Sequence, residues 1–261
     1  MNTVIVIFLI LFGLIAGITG GFLGIGGCVI MLPALYFLFG YPLPLAIGTT
    51  ITAVMITAAS GSVAHIRLRN VDYSTVKIVG ISGGIGAILG SITFAYLTSQ
   101  ISLLNLILGL AFLYVSLRMI FEGIMRRGAL EKTGNQVPGG VLQKSVIGLS
   151  IGFLTGIIGL GGGYALVPSF IYLLNASVKI AVGTSLPSFI SMAVISGGFK
   201  LYQGYVDVVA AIALGIGTAI GAQIGARLVP RAPTWIIKVI FGLVFLYVSL
   251  KFALMAFGIR I

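Results

Sequence analysis

The stretch GGFLGIGGCVIMLP, residues 20–33, places five glycines in the eight positions 20–27 and a proline at 33. It follows directly on an uncharged apolar run over residues 4–16. Glycine at that density weakens a helix by about 1 kcal/mol per residue relative to alanine. The pattern therefore predicts a helix break where the flanking sequence asks for a continuous helix. TGIIGLGGGYALVP, residues 155–168, repeats the pattern 135 positions later, with consecutive glycines at 161–163.

The surroundings of both stretches are those of a membrane protein. Of 261 residues, 59% are hydrophobic and only 7% charged, and the mean hydropathy is +1.22. Soluble domains carry roughly a quarter charged residues. Long apolar runs such as 101–117 and 234–250 suit helices crossing ~30 Å of hydrocarbon, and their lack of alternation argues against a barrel. The opening MNT has no basic n-region, so the first run reads as a retained helix rather than a secretory signal. The net charge of +11 sits at helix ends and loops, without a nucleic-acid-binding module between the basic residues. With only four acidic residues, the chain is electrostatically disposed toward anions. The single cysteine, Cys28, excludes an intramolecular disulfide.

A shift of 135 aligns the two halves without a gap for almost fifty residues. Gly24, Gly26, Gly27, Pro33, Gly48 and Thr49 fall on Gly159, Gly161, Gly162, Pro168, Gly183 and Thr184. Asp72 meets Asp207, and Gly80, Gly86 and Gly90 meet Gly215, Gly221 and Gly225. After a two-residue deletion FLYVSLR (112–118) meets FLYVSLK (245–251). Internal duplication of this kind is common in secondary transporters.

The fold class expected is an all-α polytopic membrane protein of two repeats, each of about five hydrophobic segments, eight to ten helices in all. The segments fall near 3–23, 28–39, 44–64, 74–97 and 101–121, then 144–159, 163–174, 179–199, 206–228 and 234–257. The second of each set is too short to span, which predicts a broken or re-entrant hairpin. Residues 1–122 form the first transmembrane repeat, 123–143 a cytoplasmic linker and 144–261 the second repeat. Inverted repeats put twelve basic residues on the cytoplasmic side and three outside; parallel repeats give eleven and four. Both satisfy the positive-inside rule, and the odd segment count favours inversion.

Sparse glycines such as Gly86-xxx-Gly90 and Gly217-xxx-Gly221-xxx-Gly225 read as close helix packing. The dense clusters differ. A break inside the membrane exposes amide N–H groups and the positive end of a helix dipole, which hold an anion without a charged side chain. The candidate substrate-binding residues are Gly24, Gly26, Gly27 and Cys28 with Gly159, Gly161, Gly162 and Gly163. The hydroxyls of GTT (48–50) and GTS (183–185) add Thr49, Thr50, Thr184 and Ser185, although such groups also bond their own helix backbone. His65 and Lys200, equivalent positions at the far end of the third segments, are secondary candidates, expected foremost as snorkelling interfacial residues. Asp72 and Asp207 read as caps of the fourth segments.

GxGG followed by proline and then GT[TS], with the whole unit recurring, resembles the TauE/SafE family, also known as the toluene sulfonate uptake permease family. The likeness covers nearly the whole chain. It implies a secondary transporter, an exporter in particular, of small sulfur-containing anions such as sulfite, thiosulfate or organosulfonates, sulfoacetate among them, in the cytoplasmic membrane of a prokaryote. An anion channel, or a permease for other small organic anions, is the alternative. Cys28 stands where the second half has Gly163, so the two clusters are unequal.

A membrane-embedded enzyme would need paired catalytic groups within the spans. The chain has one histidine, its four acids lie near segment ends, and HExxH and a Walker phosphate loop are missing. A structural scaffold would leave the glycine clusters unexplained. No cofactor or metal is expected. The expected partners are a small anion and the bilayer, not nucleic acid, with a homodimer left open.

Overall fold

The computed structural model of the chain describes residues 3–23, 27–125, 134–228 and 234–259, which form helices and loops with no strand. The candidates Gly24 and Gly26, and linker residues 126–133, lie outside the described residues. The helices are α1 Thr3–Leu23, α2 Cys28–Pro33, α3 Leu43–Arg67, α4 Tyr73–Leu97, α5 Ile101–Met125, α6 Val141–Ile158, α7 Gly163–Pro168, α8 Val178–Tyr202, α9 Val208–Leu228 and α10 Thr234–Ala256. Among the described residues seven helices are long and apolar enough to cross a membrane. The protein is an all-α multi-pass membrane protein.

The two short helices are built alike. Pro33 ends α2 and Pro168 ends α7, and each runs on as a π-helical turn, Ala34–Leu38 and Ser169–Leu173. Proline has no N–H to donate to the carbonyl four residues back, so the helical register is interrupted there. It widens in both copies: Phe39 N–H donates to the Ala34 carbonyl at 3.0 Å and Leu174 N–H to that of Ser169 at 3.2 Å. Each composite helix, 28–38 and 163–173, rises roughly 16 Å, about half the hydrocarbon thickness.

The chain forms two compact units. One comprises Met1–Thr93 and Glu131–Arg227, the other Phe94–Leu130 and Leu228–Ile261. Within the first, the equivalent helices α3 and α8 pack antiparallel: Gly48 faces Lys200 and Tyr205, Gly61 faces Leu186, and Gly197 faces Thr52 and Met55. Glycines let two further helix pairs touch backbone to backbone. A β-carbon on Gly13 of α1 would lie 2.5 Å from the Leu214 carbonyl oxygen of α9. Those on Gly217, Gly221 and Gly225 would strike the carbonyls of Ile10, Leu14 and Ile18. The equivalent pair, α4 and α6, meets through Gly86 and Gly90 against Leu149 and Phe153, and through Gly152 and Gly156 against Gly83 and Ala87. In lipid, which offers no hydrophobic drive for association, such van der Waals approach supplies the contact. The sparse glycines are thus packing residues.

The second unit is an antiparallel pair, α5 and α10. Ser116 Oγ donates to the Gly242 carbonyl and Ser249 Oγ to the Gly109 carbonyl, both at 2.8 Å. Positions 109 and 116 match 242 and 249 under the 133-residue shift that aligns the two FLYVSL stretches. The two bonds are therefore one contact made twice. Phe112 stacks on Phe252 between them, centroids 5.7 Å apart.

Candidate functional site

The second glycine cluster breaks a helix. α6 stops at Gly159 (φ 64°), whose N–H closes the last turn on the Thr155 carbonyl at 2.9 Å. Gly161 (φ 79°) is likewise left-handed, and α7 begins at Gly163. Side chains rarely adopt either conformation, which is why both positions are glycine. The first cluster presents Gly27 (φ 75°) as the residue before α2. Its carbonyl accepts from Ile30 and Met31, as that of Gly162 accepts from Ala165 and Leu166.

The two clusters meet. A β-carbon on Gly161 would lie 3.1 Å from Cys28 Sγ, 3.4 Å from the Phe189 ring and 3.5 Å from Val54. Between them is a void of about 10 Å³ lined by Cys28, Val54, Ala58, Gly161, Gly163, Leu186 and Phe189. That is room for about one water at most, so an oxyanion enters only if the surrounding helices move apart. Val54 and Phe189 are equivalent positions that the sequence reading passed over. They carry no polar signal; the clue is their spacing, four residues beyond Thr50 and Ser185, hence on the same helix faces.

The hydroxyls divide into two kinds. Thr49 Oγ1 accepts a hydrogen bond from Asp207 N–H, and Thr184 Oγ1 accepts one from Asp72 N–H, both at 3.0 Å. Beside them, β-carbons on Gly48 and Gly183 would strike the carbonyls of Tyr205 and Asn70. The Gly-Thr pair of each half thus clamps the loop leading into the other half's fourth segment. The aspartates cap those segments: Asp72 accepts from Ser74 and Thr75 N–H, Asp207 from Ala210 N–H. Thr50 and Ser185, one residue on, are fully buried. Ser185 Oγ bonds its own helix at Val182, whereas Thr50 Oγ1 has no hydrogen-bond partner.

His65 and Lys200 lie at the far ends of α3 and α8 and do not line the void. His65 is half-buried, with Nδ1 enclosed and without a hydrogen-bond partner. Lys200 corrects the expectation of a snorkelling side chain, since none of it reaches the surface. Its Nζ donates to the Gly156 carbonyl and to Ser196 Oγ. The physical reason is the helix break: α6 ends at Ile158, so the Gly156 carbonyl lacks a helical donor and takes the ammonium instead.

A larger cavity, about 560 Å³, is lined by Val4, Ile5, Phe8, Phe39, Tyr41 and Asp207. Tyr41 donates to Asp207 Oδ2 at 2.8 Å, and burial, with that carboxylate beside it, pushes the phenol up to about 12. A carboxylate as the ionisable lining group beside a neutral phenol does not suit an anion. Among the described residues no three His, Cys, Asp or Glu side chains come together as a metal site.

Helices broken in mid-chain, duplicated by an internal repeat and brought tip to tip, define a multi-pass membrane transporter. The chain belongs to the sulfite exporter TauE/SafE family, whose profile matches residues 9–252. It is 28% identical to the Probable membrane transporter protein YdhB of Bacillus subtilis over 88% of this chain and 93% of that protein. It is 32% identical to YtnM of the same organism, also named a probable membrane transporter protein, over 88% of this chain and 76% of that one. No solved structure matches it. The names of the family and of these relatives indicate a membrane transporter, not an enzyme.

Proposed function

We propose that this transporter exports small sulfur-containing anions, namely sulfite, thiosulfate or organosulfonates such as sulfoacetate, by alternating access about the paired helix breaks. The observation that carries the reading is the meeting of the two clusters, Gly161 against Cys28, at an enclosed void. The first amides of a helix have no backbone carbonyl one turn back to donate to, so the starts of α2 and α7 suit a negative guest. The orphan hydroxyl of Thr50 stands one turn from the void-lining Val54. The family's description as sulfite exporters supports the substrate class.

The void is the occluded form of the cycle. Opening on one side separates the two breaks, admits the anion to Gly27, Cys28 and Gly161–Gly163, and closes again before the other side opens. The antiparallel pairing of α3 with α8 supports repeats of inverted topology, in which the same movement run in mirror image serves the opposite side. Export needs no coupling ion: an anion leaving a negative interior runs downhill by about 2.3 kcal/mol per charge per 100 mV.

Flux of sulfite, thiosulfate and sulfoacetate in proteoliposomes at set membrane potentials tests this. Saturable flux of at least one, accelerated by a potential negative on the side it leaves, is the expected result. No anion-dependent flux or current at any potential would end the proposal, and non-saturating current would make the protein a channel.

A further inference from the structure

Lys200 anchors a second polar cluster that the paired breaks do not account for. The side chain is wholly buried in α8, and a buried ammonium in a membrane protein is costly and marks a functional position. Its Nζ holds the Gly156 carbonyl and, at 3.2 Å, Ser196 Oγ. Ser196 Oγ in turn donates to the Thr155 carbonyl at 3.4 Å. Three buried polar atoms on adjoining residues have no hydrogen-bond partner: Thr155 Oγ1, next to Gly156, Ser91 Oγ, next to Gly90, and Gln203 Oε1, one turn from Lys200. Thr155 and Ser91 are fully enclosed. Gln203 reaches the Ser91 carbonyl through Nε2 at 3.2 Å, and Gly90, next to Ser91, packs on Gly156. The cluster therefore closes on itself between α4, α6 and α8, within the first compact unit.

It also adjoins the second break. Gly156 lies three residues before Gly159, whose β-carbon would come 2.8 Å from the Ile47 carbonyl. The next residue, Gly48, would place a β-carbon 3.3 Å from Lys200 Cβ. An ammonium with two orphan hydroxyls able to donate is the donor set of a small oxyanion site, and an amide oxygen accepts from a protonated one.

We infer that Lys200, with Thr155 and Ser91, forms a second anion station beside the break, where the ammonium leaves the Gly156 carbonyl to pair with the passing anion. The inference rests on the anion-transport reading above. In the occluded form the lysine is parked on the end of α6, where a cation is favoured. An anion arriving from the void draws it off, and the carbonyl reclaims it once the anion has gone. The station so defined is for a compact oxyanion.

The test is saturable flux in proteoliposomes, with sulfite and thiosulfate as probes, for the wild type, Lys200→Gln, Lys200→Arg and Thr155→Val. Loss of a charged partner is expected to raise the KM of Lys200→Gln about ten-fold or more. Lys200→Arg should bring it back to within about three-fold of wild type, because the cation is restored. Thr155→Val keeps the shape and loses the donor, so its KM should rise about three-fold at unchanged melting temperature. Should Lys200→Gln not fold, Thr155→Val decides: a raised KM supports the station and an unchanged one overturns it. A wild-type KM in Lys200→Gln overturns the inference while leaving anion transport standing. So does an equal loss in the Gln and Arg variants that tracks their melting temperatures. A wild type without flux of either probe removes the inference together with the reading beneath it.

Discussion

Replacing Thr184 with valine keeps the volume of the side chain and deletes one oxygen, the acceptor for Asp72 N–H at 3.0 Å. That bond is buried, so no water replaces it, and an unsatisfied buried amide costs roughly 1–3 kcal/mol. Thr49→Val deletes the equivalent acceptor for Asp207 N–H. There the bond is only partly buried, water takes over part of the role, and the expected cost is about 0.5–1 kcal/mol. For a chain of this size 1 kcal/mol moves the midpoint by roughly 2–4 °C. Thr184→Val should therefore lower the melting temperature by about 5 °C and Thr49→Val by about 2 °C, with Thr184→Ser close to wild type. Thermal unfolding of the purified protein in detergent, followed by loss of the monodisperse chromatographic peak, measures all three. If Thr49→Val proves the more damaging, or if neither moves the midpoint while both abolish anion flux, these threonines are ligands first and the clamp is secondary.

Three other outcomes follow from the packing, the caps and the void. Gly90→Ala would drive a methyl into the Phe153 carbonyl, forcing α4 and α6 apart; a loss of about 1–3 kcal/mol is expected. Gly198→Ala meets nothing within 4 Å and should raise stability by up to about 1 kcal/mol through helix propensity, so equal effects in the two variants would contradict the packing. Burial, the largest single influence on Asp72, pushes its carboxyl up, but hydrogen bonds from Thr75 Oγ1 and the Val137 and Thr75 amides, with the Lys144 charge, outweigh it and hold it below the usual value. A depressed carboxylate contributes stability that is complete above its unfolded value of about 3.9 and disappears as pH falls through the folded one. Melting temperature should thus decline as pH drops below about 4, and Asp72→Asn should flatten that decline. Cys28, 1% exposed and facing the void, should react with thiosulfonate reagents far more slowly in the folded protein than in denaturant, and more slowly still under saturating transported anion; rapid labelling in the folded state would contradict the occlusion.

Most of the helical frame was legible because hydrocarbon leaves the backbone so few options. The apolar runs near 28–39 and 163–174 were too short to span, and the structure makes them short helices ending at Leu38 and Leu173. Their π turns were not foreseen; proline signals an interruption, but not which register succeeds it. The helix break at the second cluster was readable from glycine density, whereas the left-handed conformations of Gly159 and Gly161 were not. What each hydroxyl touches was not, since adjacent threonines such as Thr49 and Thr50 have the same chemistry and opposite surroundings, one bonded to Asp207 N–H and one with no partner. Lys200 reads as an interfacial residue because, like His65, it stands at the far end of an apolar segment. Only the termination of α6 beside it explains its burial.

The glycine-mediated helix pairs of the first unit cross between the halves: α1 lies on α9, α6 on α4, and α3 on α8. Among the described residues, the glycines of each first helix make their close contacts with the other half's fourth. A chain holding one copy of the unit would have had to borrow that surface from an identical neighbour, exchanging first helices with it. Joining the two copies in one polypeptide removed the search for a mate and allowed each to drift alone, cysteine against glycine at 28 and 163, histidine against lysine at 65 and 200. What began as one shape seen twice now carries different side chains at matching positions.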